Sequence, residues 1–99
     1  MKTRADQIAL PHPDADELPQ YYRFYGWRLS ELGWTCEVRS QRPFRAPFGR
    51  HVTVSLWEAA KMTPDEIVRV AWMRITDAVA ELQLFEAHEV KPLERKVFG

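Results

Sequence analysis

The chain has 99 residues, 45% of them hydrophobic and 12% aromatic, with 14 basic and 14 acidic side chains. That length supports a single core, and the apolar share excludes an intrinsically disordered polymer. Zero net charge argues against a wholesale polyanion binder, which needs many uncompensated Lys and Arg, and one cysteine excludes an intrachain disulfide or a Cys-based zinc site.

Residues 1–13 read as an N-terminal extension ahead of a single domain over residues 14–99. The opening MKTRADQIAL lacks the apolar core of a signal peptide, and no apolar run approaches the ~18 residues of a membrane span, so a cytoplasmic location is expected. Pro11-His12-Pro13 enforces an extended connector, and Ile8-Ala9-Leu10 is apolar enough to dock on the core.

Asp14 or Asp16 can cap a first helix. Leu18, Tyr22, Tyr25, Leu29 and Leu32 then recur at spacings of three and four, which puts them on one helical stripe, and Gly33 stands where a left-handed C-cap belongs. The competing reading is a strand, since Tyr21 to Leu29 is rich in β-favouring aromatics. In the helix, Trp27 falls about 160° from Tyr25, on the outer face, as an exposed binding anchor unless a terminal segment covers it.

Trp34 to Ser40 and His51 to Trp57 alternate apolar with polar residues and read as half-buried strands. Trp34, Cys36 and Val38 would face the core from one, and Val52, Val54 and Leu56 from the other. Matching those faces requires paired positions to sum to an even number near 90, with Cys36 opposite Val54 and His51 opposite Arg39. Cys36 and His51 then point to opposite faces, so they make no nucleophile and base pair. The intervening QRPFRAPFGR contains two prolines and reads as a long hairpin loop.

Thr63-Pro-Asp-Glu66 is a capping box with proline at the first helical position. Ile67, Ala71, Ile75, Ala78, Leu82 and Phe85 follow as a core-facing stripe, widened by Val68, Trp72 and Val79. From Glu89 the period fades, and Pro92 is expected to end the helix. The assembled expectation is an α+β, helix–β-hairpin–helix (αββα) two-layer domain, its small antiparallel sheet packed on two amphipathic helices. A two-stranded hairpin is marginal alone. A third strand from Ile8–Leu10 or Val90–Phe98, or edge pairing in a homodimer, would complete it.

Nothing in the sequence looks catalytic, and no cofactor is implied. His12, His51 and His88 have no ligand spacing, so no metal is expected. Asp65 with Glu66, and Asp77 with Glu81, are accounted for by the helix dipole and solvation. The candidate contact residues are Arg39, Arg42, Phe44, Arg45, Phe48 and Arg50 of the hairpin segment, together with Trp27. Four arginines occupy the acid-free stretch from Val38 to Trp57, whereas residues 58–89 carry seven acids. Guanidinium groups pair with phosphate or carboxylate, and phenyl rings can stack on bases. In competing readings these arginines pair with the acidic second helix of the same chain or of another subunit. The expected function is a non-enzymatic protein-interaction module, similar in type to small phage or mobile-element accessory proteins that act on a host protein. A nucleic-acid-binding module using residues 39–50 is the alternative.

Overall fold

The computed structural model describes residues 8–44 and 47–98, with side chains described as far as Ala87. Three antiparallel strands, β1 (Tyr22–Ser30), β2 (Gly33–Ser40) and β3 (Phe48–Ser55), precede a one-turn helix α1 (Leu56–Ala59) and a long helix α2 (Pro64–Phe98). The strands lie in the order β1-β2-β3. The α+β class stands, but the order is βββαα, and the expected first helix is a strand. A 3-10 turn over Ala15–Glu17 is all that forms behind Asp14, whose N–H bonds the Glu17 carboxylate at 3.2 Å.

The strand reading of Tyr22–Ser30 prevails, and β1 carries a bulge. Tyr25 pairs with Glu37 and Arg28 with Thr35, so Gly26 and Trp27 together face Cys36. One extra residue switches the faces. Tyr22 and Phe24 lie on the α2 side of the sheet before the bulge, and Trp27 and Leu29 lie on that side after it, with Leu29 still 51% exposed. β1 is also the third strand the sheet needs. The packing argument for a homodimer, which assumed two strands, therefore loses its premise.

β1 and β2 meet at the two-residue turn Glu31-Leu32, with Ser30 opposite Gly33. Gly33 has φ 143°, and a Cβ there would lie 2.3 Å from the Val54 carbonyl oxygen. Glycine is needed here for close strand approach, not for the helix cap read from the sequence. In the β2–β3 ladder Trp34 meets Val54, Cys36 meets Val52 and Glu37 meets His51. This register is displaced two residues from the expected one. An even displacement leaves every side chain on its face.

β3 begins earlier than expected, at Phe48, and ends at Ser55 because Ser55-Leu-Trp-Glu58 is itself a capping box. The Ser55 hydroxyl accepts the Glu58 N–H at 3.1 Å, and the Ser55 N–H bonds the Glu58 carboxylate at 3.0 Å. Leu56 therefore starts a helix, 40% exposed, instead of facing the core from a strand.

Half of the second capping box forms as read, with the Thr63 hydroxyl accepting the Glu66 N–H at 3.3 Å, but the Glu66 carboxylate takes the Thr63 hydroxyl at 3.1 Å instead of reaching back to a backbone N–H. Ile67, Ala71, Ile75, Ala78 and Leu82 are buried against the sheet. Each fully buried Ile or Val contributes roughly 1.5–3 kcal/mol relative to exposure. The next position on that face is Glu86, not Phe85. α2 also continues through Pro92, which costs a backbone hydrogen bond but does not end the helix.

Inside, one cluster joins Tyr22, Cys36, Val38 and Val52 to Ile75, Ala78 and Leu82. A second joins Trp34 and Val54 to Ala59, Ile67 and Ala71. Trp27 packs against both. Its indole N–H donates to the Pro11 carbonyl at 2.8 Å. Ile8 and Leu10 pack on the second cluster, and His12 stacks edge-on against Phe24 at 4.9 Å. The segment from Ile8 to Pro13 is thus a strap over the β1 side of the core.

Candidate functional site

The seven contact residues read from the sequence do not form one arm. Arg39 lies on the sheet face turned away from α2, where its Nε bonds the Glu37 carboxylate at 2.8 Å and its guanidinium sits 5.0 Å from the Tyr25 ring. Arg42 turns the other way and pairs with Glu86 of α2 at 2.8 Å. Arg50 pairs with Glu81 of α2. Phe44 stands fully in solvent at φ 63°. Arg45 lies outside the described residues. Trp27 is half-buried beneath the N-terminal strap rather than exposed on a helix. Two of the arginines are therefore engaged by the acidic helix of their own chain.

The sequence offered no sign of Glu86, which is 6% exposed. One carboxylate oxygen receives the Tyr22 hydroxyl at 2.9 Å and the other meets Arg42. Burial, reinforced by that bond to Glu86, pushes the Tyr22 phenol up to about 12, so Tyr22 remains a donor. This network ties the start of β1 and the β2–β3 loop to α2. Its partners lie up to 64 residues apart, beyond the reach of any local pattern.

Phe48 is the hairpin residue that leads to a surface. It packs on the core edge, and its ring meets Phe85 edge-on at 4.8 Å. Pro47, Phe48, Gly49 and Arg50 on one side, and Glu81, Leu82, Leu84 and Phe85 on the other, line a groove between β3 and α2. Leu84 is 63% exposed at its rim. The groove runs beside a sheet edge, because β3 is an outer strand. Arg74 Nη1 donates to the Thr53 carbonyl at 2.9 Å and so closes one end of that edge. By the two-residue repeat, Gly49 and His51 present their backbone groups in the same outward direction. Among the described residues those groups have no hydrogen-bond partner.

Cys36 faces the core and His51 faces solvent, so the two are not brought together. Burial alone pushes the Cys36 thiol up to about 12. Among the described residues no three His, Cys, Asp or Glu side chains gather to hold a metal, and no helix is long and apolar enough to cross a membrane. The sequence matches no family model, and no curated protein and no solved structure matches it.

Proposed function

We propose that the chain is a non-enzymatic protein-interaction module that receives an extended, apolar segment of a partner protein in the groove between β3 and α2. The observation that carries this reading is an open stretch of strand edge at Gly49–His51 beside an apolar wall of Phe48, Leu84 and Phe85. Adding a strand to a sheet edge gives affinity through main-chain hydrogen bonds, and pockets for alternate side chains give specificity. Here β3 supplies the main-chain groups and α2 the apolar contact. The Arg50–Glu81 pair spans the groove and offers both charges to polar positions of the incoming segment. Arg74 blocks the far half of the edge and limits its length, as natural sheets do to prevent uncontrolled pairing.

A displayed library of extended peptides, selected against the full chain, tests this. Enriched peptides should carry apolar residues at alternate positions. Leu84→Asp, an exposed change, should weaken them about tenfold, as expected for an interface anchor. Methylation of alternate peptide nitrogens should abolish binding. Peptides indifferent to both changes, or no enrichment at all, would refute the reading.

A further inference from the structure

The sheet face turned away from α2 is built differently from the groove. β1 places Arg23, Tyr25 and Arg28 on it, β2 places Thr35, Glu37 and Arg39, and β3 adds His51 and Thr53. Arg39 lies directly opposite Arg23 across the two strands. Like charges so placed repel. Glu37 is the acid on this face, and it engages Arg39 at 2.8 Å, with His51 at 3.9 Å. Arg23 and Arg28 have no partner among the described residues. Between them stands Tyr25, its ring against the Arg39 guanidinium and its hydroxyl held by the Gln41 amide at 2.6 Å.

We infer that this face binds single-stranded nucleic acid, with phosphates on Arg23, Arg28 and Arg39 and a base stacked at the Tyr25–Arg39 pair. Three arginines against one carboxylate leave uncompensated positive charge, which complements a polyanion. The face carries no aliphatic side chain, so it lacks the apolar centre a protein interface requires. A row of strands bearing an aromatic and arginines suits splayed bases, which stack on both kinds of side chain. Duplex grooves instead admit a helix or a two-stranded ribbon, and a broad sheet face is neither. Arg23, Tyr25, Arg28 and Arg39, which make the contacts assigned here, do not line the β3–α2 groove, so this inference stands or falls apart from the first. It also replaces the loop arm read from the sequence: of those arginines, only Arg39 contributes.

Fluorescence anisotropy of the full chain with labelled oligothymidylate, a matched duplex and heparin tests the inference. Oligothymidylate should bind best, with affinity falling against salt at a log–log slope of about −2 for three phosphates. Arg23→Ala and Arg28→Ala should each weaken binding several-fold and reduce the slope by about 0.7. Tyr25→Leu should weaken binding without changing the slope. Arg23→Ala should melt no lower than the parent, because it relieves the opposition to Arg39, which separates loss of binding from loss of fold. No binding at low salt, preference for the duplex, or equal heparin binding unaffected by Tyr25→Leu would overturn it.

Discussion

Acidification should release a clamp that joins α1 and α2 to the edge of the sheet. Arg74 reaches Glu58 through both terminal nitrogens, with Nη1 at 2.8 Å from Oε2, while Nη1 also holds the Thr53 carbonyl. The bond from Arg74, then that from the Ser55 N–H, brings the Glu58 carboxyl down from 4.5 to about 2. At about 1.4 kcal/mol per pH unit that interval corresponds to roughly 3 kcal/mol. The two side chains are 32% and 30% exposed, so solvent screening reduces this to about 1–2 kcal/mol. The folded carboxyl titrates below the unfolded one, so the stabilisation is present above about pH 4.5 and lost as pH falls toward 2. Glu58→Gln removes the charge but keeps an oxygen for the cap. Urea denaturation of both proteins should show the parent about 1–2 kcal/mol more stable near neutrality, with the gap closing near pH 2. A gap unchanged across that range would refute the assignment of the stabilisation to the ionised pair.

Gly33→Ala should cost at least about 3 kcal/mol, since it combines a disfavoured φ with a backbone clash that no side-chain rotation relieves, and thermal melting should fall by 12 °C or more. Glu86→Ala removes the acceptor of the buried Tyr22 hydroxyl and the partner of Arg42 and should cost about 2 kcal/mol in denaturant titrations, whereas Glu86→Gln, which still accepts the Tyr22 bond, should cost less than half as much. Cys36 should resist a thiol reagent at pH 8 in the native protein and react at once in denaturant, because the thiol is both buried and protonated there.

The helix from Thr63 and the inward faces of β2 and β3 were legible in the sequence because their signals are local and periodic. β1 was not, and the bulge explains why. Its residues on the α2 side, Tyr22, Phe24, Trp27 and Leu29, are spaced two, three and two, which breaks the alternation of a strand. Tyr22, Tyr25 and Leu29 meanwhile imitate a helical repeat. Gly33 is a true stop signal, but for a hairpin. The Ser55-x-x-Glu58 box is a local signal for the end of β3, but the apolar–polar alternation runs on through it to Trp57 and masks it. At the candidate site, Phe48 and Arg50 were visible as an aromatic and a base near a turn. Their partners Phe85 and Glu81 came from a helix more than thirty residues away, and only the tertiary fold brings them together. Trp27 could be placed only once the bulge had turned it inward under Pro11.

Amide hydrogen exchange at the edge of β3 tests the central claim most directly. In the free protein the Gly49 and His51 amides should exchange rapidly while those of Val52 and Val54 are protected, and a selected peptide should slow Gly49 and His51. If those two amides are already protected in the free chain, as a second copy paired there would make them, or if a bound peptide leaves them unchanged, β3 and α2 do not form the binding groove.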